Sequence, residues 1–455
     1  MTRRTISYVT HARATLVLGL PLVGSSIAQL MLHVVNTVMV GWYGAIPLAA
    51  LVLGASLFFF LFIVGTGFAK AVLPLAAAAA ATGNDTEMRR IGRMGLWHAI
   101  GYGILIYPLF WFSDDLFLLL RQNPDVARQA QDYLHVAGIG LAPALSIAVL
   151  QGWLAALGRT QFVLWVTIVA VVSGAVINWF LIFGNGGAPE MGVAGAGVSS
   201  AMVQVLSVVA IGIYAAILPD LRRYLLFRRF WRIDSAAFRQ VFRLGWPISL
   251  TGMAESGLFE ASAIMMGWVG TAQLAAHGIA LEAVALAFMV HLGLSSAVTI
   301  RVAAFEGQGN ARALRDAAMM GMMMSGLVAV VVIVMFLTLP RTIVGLFLDA
   351  TRADSQEIMH YGVILLGMGA LFQLTDALQA MALGMLRGLQ DTRIPMILAA
   401  ISYWVIGIPI GYILAFHAGH GAPGLWMGLT AGLAAAAISL TTRFWWLAPN
   451  PQSAR

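Results

Sequence analysis

About twelve apolar stretches, each long enough to cross a bilayer, restrict this chain to one class of fold. Crossing ~30 Å of hydrocarbon at 1.5 Å per residue takes roughly 20 apolar residues. Runs of that kind fall at 14–40, 46–80, 94–113, 131–157, 161–184, 191–218, 246–270, 274–306, 317–340, 361–386, 394–416 and 423–446. Inside lipid every backbone N–H and C=O must be satisfied without water, and a run this long does so as a helix. The predicted fold class is therefore an all-α polytopic membrane protein of about twelve transmembrane helices. Composition agrees: 60% of the 455 residues are hydrophobic and 10% charged, too few charges for a water-facing surface. With no cysteine, disulfides, thiol catalysis, iron–sulfur ligation and thiolate zinc sites are excluded together.

The runs repeat. Residues 21–84 laid on 247–310 at a constant offset of 226 give 19 identities over 64 positions without a gap. Pro21 falls on Pro247, Met39-x-Gly41-Trp42-x-Gly44 on Met265-x-Gly267-Trp268-x-Gly270, and Gly83-Asn84 on Gly309-Asn310. Further on, Gly152-x-Leu154 with Thr160 reappears as Gly384-x-Leu386 with Thr392, and Gly187-Ala188-Pro189 as Gly421-Ala422-Pro423. The expected organisation is an N-terminal six-helix lobe (1–218), a basic linker (219–245) and a C-terminal six-helix lobe (246–455), related by a pseudo-two-fold axis. An even number of spans per half makes the duplication parallel, as in transporters that rock around a site near midplane.

The net charge of +7 orients the chain. One face, with the two tails, holds 21 arginines, whereas the other holds Arg121, Arg128, Arg341 and Arg352. By the positive-inside rule both termini are cytoplasmic. Arg3, Arg4 and Arg13 before the first run resemble the start of a signal peptide, but that run is too long and has a repeat partner, so it reads as a span. The linker mixes Arg222, Arg223, Arg228, Arg229 and Arg232 with Phe and Trp, which suits a connector touching anionic lipid headgroups. Nucleic acid is not an expected partner, because a folded platform for it is missing.

Few ionisable residues lie within the spans, and each is costly unless it faces a cavity or a partner. Lys70, Arg301 and Glu306 lie near cytoplasmic ends, where they can snorkel or pair. Glu255, Glu260, Glu282 and Asp376 lie deeper, with no buried cation expected beside them. Their repeat counterparts are Gln29, Val34, Ser56 and Ala144, so the acids belong to one half alone. A scaffold role would apply to both copies, so the asymmetry argues for function. Clustered carboxylates in a low dielectric exchange protons near neutral pH or share a Na⁺. Either ion would compete with a cationic substrate for the same charge, the minimum machinery of an antiporter. Residues 255 and 260 are about 140° apart on a helix and cannot both face one narrow cavity. Phe259, Phe288, Met289 and Phe372 are candidate substrate-contacting side chains, an adaptable wall for flat cations.

Other signals carry less. His417 and His420 sit in a Gly-rich outer loop without further ligands, so no metal site is expected. Asp114, Asp115, Asp349, Asp354 and Glu357 read as solvated outer-loop acids, and no P-loop follows the glycine clusters. Transport energy must then come from an ion gradient or a partner. His33, His277 and His291 read as helix–helix hydrogen bonders.

Taken together, Gly19-Leu-Pro21, Asn36-Thr-Val-Met-Val-Gly41, Ala275-Ala-His277, Val298-Thr-Ile-Arg-Val302, Leu386-Arg-Gly-Leu-Gln-Asp-Thr392, Ser402-Tyr-Trp404 and Ala422-Pro-Gly-Leu-Trp426 resemble the multidrug and toxic compound extrusion (MATE) family, over essentially the whole chain. The likeness is greatest to its bacterial NorM-type branch. The resemblance implies two V-shaped six-helix lobes in the inner or plasma membrane and export of cationic amphiphiles driven by inward Na⁺ or H⁺. It also implies that Glu255 and Asp376 carry the coupling ion, with Glu260 and Glu282 as further acids. Family members commonly have aspartate where this chain has Asn36, which does not titrate. Asn36, Asn178 and Ser200 are instead expected to form an N-lobe polar network. Glu282 replaces a common asparagine, which favours H⁺ over Na⁺ and leaves both open. No cofactor and no enzymatic activity are expected. The expected partners are organic cations and membrane lipid, and the expected state is a monomer. A flippase of lipid-linked precursors is the alternative within the superfamily, but it calls for a basic cavity.

Overall fold

The structure, a computed structural model, describes residues 8–348 and 354–449. Arg3, Arg4, Arg352 and Arg455 of the charge reading, and Asp349 of the outer-loop acids, lie outside the described residues. Among those described, all regular structure is helical. The long helices are α1 (Tyr8–Tyr43), α2 (Ala45–Ala81), α3 (Asp85–Trp111), α4 (Pro124–Ala156), α5 (Thr160–Phe183), α6 (Gly192–Ile217), α7 (Ser235–Val269), α8 (Thr271–Gly307), α9 (Ala311–Thr338), α10 (Ser355–Gly388), α11 (Arg393–His417) and α12 (Gly421–Leu447). Ten of them are long and apolar enough to cross a membrane, or eleven when α3 is joined to the short helix Ser113–Leu119 across a 57° bend. The remaining long helix is α7, with 35 residues, whose apolar stretch is interrupted by Glu255 and Glu260.

The repeat is written into the helix ends. The bounds of α2 and α8 match at the offset of 226. Each is followed by a glycine in the left-handed region, Gly83 (φ 68°) and Gly309 (φ 63°), where a Cβ would be strained. An asparagine then caps the next helix: Asn84 accepts from the Glu87 N–H at 3.0 Å and Asn310 from the Ala313 N–H at 3.2 Å.

Two compact units form. One takes in the described residues up to Val23 together with Leu250 onward, the other Gly24–Ser249. The cuts fall two residues after Pro21 and Pro247, inside α1 and α7. The first turns of α1 are thus grouped with the later residues of the chain, and the first turns of α7 with the earlier ones. In the Leu250-onward unit Arg301 does not snorkel: it is buried and donates to the His11 carbonyl (2.8 Å) and Thr15 Oγ1 (2.7 Å), with His11 Nδ1 also against it. Close packing of α8 on α10 needs Gly384, because Ser295 Oγ donates to the Ala380 carbonyl at 2.7 Å and Thr299 Oγ1 to the Gly384 carbonyl at 2.8 Å.

In the Gly24–Ser249 unit the basic connector is an ordered strap. Tyr224 and Leu226 are buried. Arg93 donates to the carbonyls of Arg228 (3.3 Å) and Arg229 (3.1 Å), and Trp97 Nε1 to that of Phe230 (2.8 Å). Arg90 pairs with Asp234 at 2.6 Å and holds its carboxyl down at about 2.

Candidate functional site

The site in the Leu250-onward unit is built on α10. Asp376 is 2% exposed, and its Oδ2 has no hydrogen-bond partner among the described residues. One turn on, on the same helix face, Gln379 is fully buried and spends both hydrogens of its amide. Its Nε2 donates to Glu255 Oε1 of α7 at 3.3 Å and to Tyr403 Oη of α11 at 2.6 Å. Glu255 is half-buried and its charge acts on Asp376, so the two acids form one electrostatic site. A cation is nonetheless at hand, contrary to the expectation: Arg387, half-buried near the end of α10, feels the charge of Glu255 and the hydroxyl of Tyr403.

Glu260 and Glu282 stand apart. Both are exposed on their helices, and neither makes a hydrogen bond or ion pair among the described residues. For Glu260 this follows from helix geometry, since it lies about 140° around α7 from Glu255.

An aromatic chain runs beside the acids. Phe372, one turn before Asp376, meets Phe259 edge-on at 6.1 Å and Trp426 at 6.0 Å. Trp426 Nε1 donates to His277 Nδ1 at 3.0 Å, which fixes that imidazole as an acceptor there. His291 Nδ1 bonds Ser325 Oγ at 2.8 Å, also between helices. Phe288 and Met289 are half-buried on α8. Sequence reasoning missed Gln379, Tyr403, Trp426 and Arg387 as site residues. The last three stand inside motifs noted above; Gln379 carried no signal except its spacing of three from Asp376.

A second polar cluster lies in the Gly24–Ser249 unit. Asn178 Nδ2 donates to Asn36 Oδ1 at 2.7 Å, and Asn36 Nδ2 donates to Ser200 Oγ at 3.0 Å. The buried Tyr133 also bonds Ser200. This cluster has no carboxylate. Among the described residues no group of three or more His, Asp or Glu side chains is placed to hold a metal ion, and His417 and His420 form no such group.

Comparison with known proteins gives a consistent picture. The MatE family model matches residues 21–180 and 247–413. A probable multidrug resistance protein NorM from Agrobacterium fabrum is 43% identical over 438 residues, covering 96% of this chain and 94% of the relative. Its namesake from Rhizobium meliloti is 42% identical with the same coverage. Among solved structures, the eukaryotic MATE transporter AtDTX14 superposes with a TM-score of 0.85 at 20% identity, covering 96% of each chain. An outward-facing multidrug resistance MATE family transporter gives a TM-score of 0.85 at 19% identity, covering 98% of this chain and 100% of that one. At such identities the likeness concerns the fold.

Proposed function

The chain belongs to the MatE family, and from that membership we propose that it is a multidrug efflux antiporter of the inner or plasma membrane, exporting organic cations in exchange for H⁺ or Na⁺. The observation that carries the coupling is Asp376, a buried carboxylate with one oxygen unpaired among the described residues, on which the charge of Glu255 acts. A charge in that place is costly unless a cation meets it. When the site faces outward, H⁺ or Na⁺ neutralises the pair and an organic cation leaves. When it faces inward, the ion leaves and the restored charge draws in the next organic cation. Phe259 offers the cation an aromatic face, with Phe288 and Met289 extending this wall, while Phe372, expected to touch substrate, is 1% exposed and packs behind Phe259. No step breaks a covalent bond, so the reading is of a transporter and not an enzyme, without cofactor or metal centre.

Both termini lie in the cytoplasm in this reading, and the chain works as a monomer. The exposed Arg222, Arg228, Arg229 and Arg232 of the strap, with Trp231 75% exposed, contact anionic lipid. The acidic character of the site disfavours the flippase alternative, whose pyrophosphate cargo is anionic.

The test is ethidium efflux from proteoliposomes under an imposed pH gradient or an imposed Na⁺ gradient. One of the two is expected to drive export. Export indifferent to both would remove ion coupling.

A further inference from the structure

We infer that Gln379 and Tyr403 are positioning residues that transmit the ion occupancy of Glu255 to a π-helical stretch of α11, Ile401–Gly407. The inference rests on Glu255 as an ion site and adds the element that responds to it. Both amide hydrogens of Gln379 are committed, one to the Glu255 carboxylate at 3.3 Å and one to Tyr403 Oη at 2.6 Å, while its Oε1 has no partner among the described residues. A buried amide turns its N–H groups toward an anion and its carbonyl toward a donor. The present orientation has Glu255 Oε1 as the acceptor. An ion on that carboxylate takes away the anionic acceptor, and the hydrogen bond that fixes Tyr403 changes with it.

Tyr403 lies where α11 leaves α-helical geometry. Ile401–Gly407 is wound as a π-helix, a rare winding often found at functional sites. The next residue grips the same neighbourhood through the backbone: Trp404 Nε1 donates at 3.1 Å to the carbonyl of Ala254, the residue before Glu255. The Trp404 ring also lies where a Cβ on Gly257 would come within 2.7 Å of it. Trp404 thus touches α7 on both sides of the carboxylate, while its neighbour Tyr403 meets Gln379. On its other side the stretch meets α12 through glycine: a Cβ on Gly407 would lie 3.2 Å from Gly432 Cα and 3.3 Å from the Gly428 carbonyl. Backbone resting on backbone offers no interlocked side chains to resist a small slide.

The repeat separates this arrangement from scaffold. At the offset of 232 that aligns Thr160 with Thr392, the counterparts of Gln379 and Tyr403 are Ile147 and Val171. The counterpart of the π-helical stretch, residues 169–175, is regular α-helix within α5. Carboxylate, amide, phenol and π-helix all occur in one half and are all missing from the other.

Tyr403→Phe, which removes one oxygen and keeps the ring, and Gln379→Leu, which keeps the volume, test this in the full-length protein in proteoliposomes. Two quantities are read: ethidium efflux against the concentration of the driving ion, and amide hydrogen exchange of residues 398–410 with and without that ion. In the wild type the ion is expected to change exchange in this stretch. In Tyr403→Phe the half-maximal ion concentration should stay within about twofold, while the maximal rate falls about tenfold and the exchange response disappears. A purely structural role would change melting temperature and leave the exchange response intact. Variants with wild-type maximal rate and wild-type exchange response overturn the inference alone. A wild type that neither gradient drives overturns the ion site and the inference with it.

Discussion

Asp376 shows how one residue can be legible from its cost. A carboxylate in a hydrophobic run demands a reason, and the absence of a counterpart at Ala144 made scaffold a poor one. Asp376→Asn removes the charge at nearly constant volume, so efflux should fall to background while the protein reaches the membrane at its usual level. Ethidium export at the wild-type rate in that variant would sink the mechanism. The amides of the other unit call for the opposite expectation. Asn36, Asn178 and Ser200 hydrogen-bond one another and none of them titrates, so they are expected to hold helices together. Asn178→Ala strands Asn36 Oδ1 and should cost about 1–3 kcal/mol of stability, seen as a lower melting temperature in detergent, with gradient-driven efflux persisting in the folded fraction. Gln379 and Tyr403 escaped the sequence reading because a neutral amide or phenol in a span costs little and is common. Only the 2.6 Å contact between them marks them as a pair.

At the scale of elements, local chemistry dictated the helix ends, and close approach dictated the packing. Gly83-Asn84 and Gly309-Asn310 read as punctuation in the sequence and act as such in the fold. Gly384 is a different case, since its need for no side chain comes from Ser295 on a helix far away in the chain. Gly384→Ala should overpack α8 against α10 at a cost of about 1–3 kcal/mol, measurable as a drop in melting temperature. The strap offers a pH test. Arg90 holds the Asp234 carboxyl at about 2 against an ordinary 3.8, so this pair stabilises the fold above pH ~4 and the benefit is lost as pH falls through about 2. Arg90→Gln should therefore melt lower than wild type at pH 6, with the gap shrinking between pH 4 and 2. A gap that is the same at both ends of this range would show that the charge pair contributes nothing. The π-helical stretch had no sequence signature, because a change of winding within an apolar run alters no hydrophobic pattern.

For the whole molecule, the proposed orientation has a clean test because the chain contains no cysteine. Arg232→Cys should react with a membrane-impermeant maleimide only from the cytoplasmic side, and Arg128→Cys only from the outside; the reverse pattern would invert the topology. Sequence alone determined that the chain lives in lipid, that it is a duplicated set of helices, and that Glu255 and Asp376 are out of place in it. Each of these follows from local cost: apolar length against bilayer thickness, matched punctuation at a fixed offset, and charge against low dielectric. Tertiary structure decided that the charge of Glu255 acts on Asp376 while Glu260 and Glu282 are exposed on their helices. It also decided that Arg387 feels the charge of Glu255, that the unit boundaries cut through α1 and α7, and that Trp404 of the π-helical stretch bonds the carbonyl of the residue before Glu255. These depend on which helix faces touch, and a contact between residues more than a hundred positions apart leaves no mark on the hydropathy of either segment.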